Sequence, residues 1–179
     1  MQQRLDDASL LLGRRKASAR TRRPIHAFVL LGLSLGLIGS AAQAQQSRLD
    51  LETRIPLGTV KGRLDHLAVD LGRRHLFVAE LENNSVGIVD LNTARVLHRI
   101  TDLKEPQGLG YVPTVDTLFV ANGGDGSLRV FRGGDFAAMA KLRLGKDAHN
   151  VRVDKDSSSV YVGYGGALAV IDPSSHGRS

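Results

Sequence analysis

The chain has 179 residues, a formal net charge of +6, no cysteine and no tryptophan. The absence of cysteine excludes disulfide bonds, thiolate catalysis and cysteine-ligated metals. The positive charge is concentrated at the start, because the first 44 residues hold seven of the 24 Lys and Arg but only two of the 18 Asp and Glu. The remainder is close to neutral, so a nucleic-acid partner is not expected.

The first 44 residues have the pattern of a secretory signal peptide. A basic run at 14–23 precedes an apolar stretch at 27–38 and a small-residue segment that ends at Ala44. The apolar stretch is shorter than the roughly 20 residues that span a bilayer, so we expect cleavage after Ala44 rather than a retained anchor. We therefore predict a periplasmic or secreted protein with no membrane attachment after cleavage. The adjacent Arg22 and Arg23 leave twin-arginine export open as an alternative to the general secretory route.

The rest of the chain repeats with a spacing of 42 residues. The string Leu-Phe-Val-Ala at 76–79 recurs at 118–121, and a looser version, Val-Tyr-Val-Gly, follows at 160–163. A second apolar segment precedes each string at a constant distance, at 65–70, 107–112 and 149–154. A β-sandwich would have to reproduce this spacing by coincidence, whereas a period of about 40–45 residues is typical of a β-propeller blade.

Each repeat contains four short segments of strand character, rich in Val, Leu, Ile and Phe and separated by turn residues. The segments of the first repeat are Glu52–Leu57, His66–Asp70, His75–Glu80 and Ser85–Asp90. Arg95–Ile100 and Met139–Leu144 are predicted to open the second and third repeats.

The predicted fold is therefore all-β, a partial β-propeller of three four-stranded antiparallel blades. The repeat region covers 45–175, and a polar tail follows at 176–179. The predicted blades are at about 51–90, 95–131 and 139–172.

The repeated pattern resembles the YVTN-family β-propeller repeat proteins over residues 51–175. It consists of a Leu-Ala-Val-Asp-like strand, a Leu-Phe-Val-Ala strand, an Asn/Gly turn and an Ile-Val-Asp strand. The resemblance implies a propeller fold, and such propellers serve as binding scaffolds, lactonase-like enzymes and cofactor-dependent oxidoreductases. Because propellers generally need about 4 to 8 blades, three repeats suggest a truncated member or a half-ring that self-associates through its open blade faces.

Five polar residues are candidates for ligand binding because they lie where each repeat enters a strand near the central channel of a propeller. They are Asp65 and His66 in the first repeat, Gln107 in the second, and His149 and Asn150 in the third. Imidazole side chains act as acids, bases and ligands, which suits a binding site. The alternative is a structural role, since repeats place equivalent positions together whether or not they function.

Other polar groups are predicted to be structural. The run Glu80, Glu82, Asn83 and Asn84 indicates a solvated turn rather than a divalent-ion cage. Gly123 to Gly126 lacks the Lys-Ser/Thr ending and the helix of a phosphate loop. Aspartates that end strands are expected to accept backbone N–H groups of the following turn, namely Asp70, Asp90, Asp154 and Asp172.

No convergent set of catalytic, metal-binding or cofactor-binding residues is recognisable, so none is assigned. We expect an exported binding or scaffold module whose partner is a protein or a small molecule. The alternative is a fragment of a propeller enzyme, lactonase-like or quinone-dependent dehydrogenase, whose catalytic residues belong to blades outside this sequence.

Overall fold

The computed structural model describes residues 49–157 and 159–175. The signal peptide predicted at 1–44 and the tail predicted at 176–179 lie outside these residues. Short 3-10 helices occur at Leu81–Asn83 and Pro113–Val115. The strands of the described residues are β1 (Leu64–Asp70), β2 (His75–Glu80), β3 (Ser85–Asp90), β4 (Arg95–Ile100), β5 (Pro106–Val112), β6 (Thr117–Asn122), β7 (Ser127–Arg132), β8 (Ala138–Arg143), β9 (Asn150–Val153), β10 (Val160–Tyr164) and β11 (Ala167–Ile171).

These strands form three antiparallel sheets, and within each sheet every strand pairs with its neighbour in the chain. The first sheet contains β1–β4, the second β5–β8 and the third β9–β11. Successive meandering sheets of this kind are propeller blades, so the predicted all-β, partial-propeller fold is confirmed. The central strands β2, β6 and β10 contain the six residues predicted for that position: Phe77, Val78, Phe119, Val120, Tyr161 and Val162.

The boundaries of the sheets differ from those predicted for the blades. Arg95–Ile100, predicted to open the second blade, pairs with β3 and is the outer strand of the first sheet. The predicted strand Met139–Leu144 likewise overlaps β8, which pairs with β7 and closes the second sheet. The segment Glu52–Leu57 is not a strand, and the third sheet has three strands in the described part of the chain. The correction has a simple cause, because a sequence period gives the length of a repeat but not the strand at which a sheet begins.

Successive side chains along a strand point to opposite faces of the sheet. We call the face toward the next sheet in the chain the forward face and the opposite one the backward face. The forward face of the first sheet packs on the backward face of the second through Phe77, Ala79, Val86, Ile88, Leu109, Tyr111, Leu118, Val120 and Phe131. The second and third sheets meet in the same way through Phe119, Ala121, Leu128, Val130, Val151, Val160, Val162, Ala169 and Ile171.

The inner strands approach one another closely. Strand β5 packs against β1 and β2, and β9 packs against β5 and β6. A methyl group at Gly108 would lie 2.5 Å from the carbonyl oxygen of His149, and one at Gly110 would lie 2.6 Å from the side chain of Val151. Glycine in β5 therefore sets the distance between the second and third sheets.

Candidate functional site

The five predicted binding residues lie at or next to the starts of the three inner strands. Asp65 and His66 are early in β1, Gln107 is the second residue of β5, and His149 precedes β9, which begins at Asn150. Because the sheets share one topology and pack through these strands, the five residues belong to the same end of the sheet array. We call them the inner-strand site.

The first sheet contributes a histidine beside a carboxylate. The Nδ1 atom of His66 lies 2.9 Å from Oδ1 of Asp65, an ion pair when the imidazole is protonated, but the two groups are not aligned for a hydrogen bond. Arg63 lies on the other side of the same carboxylate, with Nη2 at 3.6 Å from Oδ2. The His66 side chain is 35% exposed, so solvent and ligands can reach the imidazole.

The second and third sheets contribute two amides and a second histidine. The amide of Gln107 lies over Gly123, where a methyl group would collide with it. The ring of His149 is held by its own loop, since Nδ1 is 2.7 Å from the carbonyl oxygen of Asp147. Its backbone N–H donates to the carbonyl of Gly163 at 3.1 Å, which ties the start of β9 to β10.

Two polar atoms of this site, Nδ1 of His66 and Oδ1 of Asn150, are buried and make no hydrogen bond with the described residues, although the first of them lies 2.9 Å from the Asp65 carboxylate. Leaving a buried polar atom unpaired costs about 1–3 kcal/mol, so a bound polar molecule that paired with either atom would recover part of that cost. This is the chemical reason for regarding the inner-strand site as a binding site.

The described residues contain neither a cluster of metal ligands nor a membrane-spanning helix. Within residues 49–157 and 159–175, no three His, Asp or Glu side chains are grouped so that they would hold a metal ion. The same part of the chain has no helix with the length and apolar character needed to cross a membrane.

A buried ion pair lies on the backward face of the first sheet. The carboxylate of Glu80 is 0% exposed and accepts hydrogen bonds from Arg99 Nε at 2.7 Å and Nη2 at 2.9 Å. Ser85 also donates to this carboxylate, and a methyl group at Gly87 would lie 2.7 Å from its Oε1 atom. The prediction of a solvated turn is therefore wrong for Glu80. Its side chain is buried on the face of the sheet, above Gly87, where a larger residue would collide with it.

The partners of Glu80 determine its protonation. Burial by itself raises the pKa of this carboxyl group, but the hydrogen bonds and charge of Arg99, with help from Ser85 and Asn83, outweigh burial and hold the pKa below its usual value. Glu80 is therefore a charged, fully paired group at neutral pH, which suits a structural role.

A second polar cluster joins the first sheet to the second. The guanidinium of Arg73 donates to Asp70 Oδ2 at 2.8 Å, to the hydroxyl of Tyr111 at 3.0 Å, and to both carboxylate oxygens of Asp116 at 2.8 and 3.0 Å. The Tyr111 hydroxyl donates to Asp116 at 2.8 Å. Burial, together with the bond to Asp116, raises the pKa of Tyr111 to about 12. We call this cluster the Arg73 brace.

The predicted role of the strand-ending aspartates is confirmed. Asp70 accepts backbone N–H groups from Gly72 and Arg73 in the turn that follows. The other three accept the N–H two residues later: Asp90 from Asn92, Asp154 from Asp156 and Asp172 from Ser174. These bonds fix the turns at the end of the sheets opposite to the inner-strand site.

Comparison with known proteins supports the fold and leaves the activity open. No protein family matches the chain, and no curated protein does either. By contrast, 520 chains of solved structures match it, so the fold is common and by itself assigns no function. One of them is Kuenenia stuttgartiensis hydrazine synthase, with 19% sequence identity and a TM-score of 0.58. The match covers 75% of this chain but 37% of that chain, and at this identity it shows only a propeller-like arrangement of sheets.

Proposed function

We propose that this chain is an exported, YVTN-type β-propeller module that binds a small polar ligand at the inner-strand site. The observation that carries the proposal is the buried Oδ1 of Asn150, which has no hydrogen-bond partner in the described residues and lies at the same strand end as His66, whose Nδ1 has the Asp65 carboxylate beside it. The export component rests on the signal-peptide pattern before Ala44. The YVTN component rests on the repeated strand strings of the sequence.

The chemistry of the site favours a ligand that both donates and accepts hydrogen bonds. Gln107 and Asn150 each supply an amide, the histidines supply imidazoles, and Asp65 supplies a carboxylate next to the cation of Arg63. Such a mixture suits a polyol, an amino acid or a hydroxycarboxylic acid better than an apolar molecule. A scaffold of three packed sheets holds the inner strands in place, as a binding site requires.

The test is a titration of the purified protein with D-glucose, glycine and citrate as separate probes. Binding is followed through the histidine side-chain nitrogen resonances and by calorimetry. We expect at least one probe to shift the His66 signals, and we expect Asn150→Ala to weaken that binding about tenfold, the equivalent of one lost hydrogen bond. Lys155→Ala, at the opposite end of the third sheet, is the matched control and should bind as the wild type does.

Two results would contradict this function. The first is the absence of any histidine shift with all three probes. The second is catalytic turnover, either lactone hydrolysis or dye reduction with a quinone cofactor, which would support the alternative of an enzyme fragment.

A further inference from the structure

The forward face of the third sheet is uncovered at positions that are fully buried in the other two sheets. Val86 and Leu128, opposite Ala79 and Ala121 in their sheets, are each 0% exposed. Leu168 holds the equivalent place opposite Gly163 and is 62% exposed. The difference arises because a following sheet covers the first two and none covers the third in the described residues.

The backward face of the first sheet shows the complementary pattern. Leu109 and Val151 lie 42 residues apart on the backward faces of the second and third sheets and are 4% and 2% exposed. Leu67, another 42 residues earlier, is 57% exposed. Val69, two residues further along β1, is 38% exposed, whereas its equivalent Tyr111 is 8% exposed.

The chain segment before β1 contacts the outer part of that backward face. The carbonyl oxygen of Leu57 accepts a hydrogen bond from Arg99 Nη2 at 2.9 Å, and the N–H of Lys61 lies 3.4 Å from Asn83 Oδ1. These contacts place Leu57 beside β4 and Lys61 beside the β2–β3 turn. Within the chain, successive sheets meet mainly through their inner strands. The inner strand of the first sheet, β1, is the one whose backward-facing residues Leu67 and Val69 are exposed.

We propose that two copies of this chain join head to tail, with the forward face of each third sheet packed on the backward face of the other copy's first sheet. The two sheet junctions inside the chain are repeats of one interface, and the proposed junction continues it with the equivalent residues. Because the described part of each copy has three sheets, two copies related by a twofold axis would form a ring of six such sheets, within the range of about 4 to 8 blades that propellers adopt. This inference does not depend on the ligand proposed above.

The first test is the mass of the protein in solution, measured by light scattering after expression from the full-length gene and purification. We expect twice the protomer mass for the wild type and the protomer mass for Leu168→Arg, because the arginine places a charge inside the junction. Met139→Arg is the control, since Met139 is 44% exposed on β8 of the middle sheet and lies outside both open faces. A wild-type protomer at all concentrations, or an open-ended series of larger oligomers, would overturn the proposal.

The second test separates this arrangement from any other dimer. The chain has no cysteine, so Leu67→Cys and Tyr161→Cys each introduce a unique thiol. When the two variants are mixed and treated with a short bifunctional thiol reagent, we expect a cross-link that joins one copy of each, because Tyr161 is the equivalent of Phe77 and Phe119, which pack on the following sheet about 10 Å away. Cross-links only between like variants, or none, would overturn the head-to-tail contact.

Discussion

Replacing Val120 with Asp is expected to lower the free energy of unfolding by more than about 4 kcal/mol. Val120 is 0% exposed and lies in β6, the central strand of its sheet, on the face that packs against the first sheet. The neighbours packed on Val120 are apolar, and the guanidinium of Arg129, which is opposite Val120 on β7, lies over the Phe131 ring at 5.4 Å from the ring centroid. The new carboxyl group must therefore either remain charged at an apolar interface, where only a displaced Arg129 could reach it, or take up a proton. Both routes cost free energy that the folded state must supply.

Chemical denaturation followed by circular dichroism measures this effect. The control is Leu71→Asp, because Leu71 is 82% exposed and surface changes of this kind usually alter stability by no more than about 0.5 kcal/mol. If Val120→Asp had the same denaturation midpoint as the wild type, the described packing of the first sheet on the second would be wrong.

The second large effect is expected from Arg99→Met. This substitution removes the cation but leaves the carboxylate of Glu80 buried at 0% exposure. Breaking a buried ion pair from one side costs about 3–5 kcal/mol, because the remaining charge is unpaired. Arg95→Met, an exposed arginine on the same strand, is the matched control and should be nearly neutral. A similar loss in both variants would show that the arginine side chains stabilise β4 by packing rather than by charge.

The pH dependence of the same variant identifies the cause. In the wild type the pKa of Glu80 is lowered by its partners, so the folded state gains stability above the unfolded pKa and loses it as pH falls through the folded value. In Arg99→Met that gain is gone, because no cation offsets the burial of the Glu80 carboxylate. At low pH Glu80 is protonated and needs no cation in either protein. The difference in unfolding free energy between the two proteins should therefore be largest near neutral pH and shrink below about pH 4. A difference that is constant with pH would contradict a charge mechanism.

The strands could be predicted from the sequence because the same strand pattern recurs in each of the three repeats. The predicted bounds of His75–Glu80 and Ser85–Asp90 match β2 and β3, and those of Arg95–Ile100 match β4. The sheet to which Arg95–Ile100 belongs could not be predicted from the repeat. That strand follows one hairpin and precedes the next, and only its pairing with β3 decides to which sheet it belongs.

The polar contacts were harder to predict because they join residues on different strands. Glu80 and Arg99 are 19 residues apart, and Glu80 begins a polar run that is typical of a solvated turn. A usable signal was present in Gly87, since a glycine inside a strand often marks a close approach of another group. For the inner-strand site, the sequence predicts equivalent positions, but the spacing of the repeat does not determine how each side chain is rotated.

The Arg73 brace distinguishes one junction from the others. The apolar contacts are similar at every junction, whereas the equivalent of Arg73 in the third sheet is Ser157, and the equivalent of Asp116 in the first sheet is Arg74. A seam between two copies would therefore lack this guanidinium–carboxylate link at the corresponding place. No peptide bond joins the sheets at such a seam either, so dilution should separate the copies, and a six-sheet ring would exchange its halves with other rings in solution.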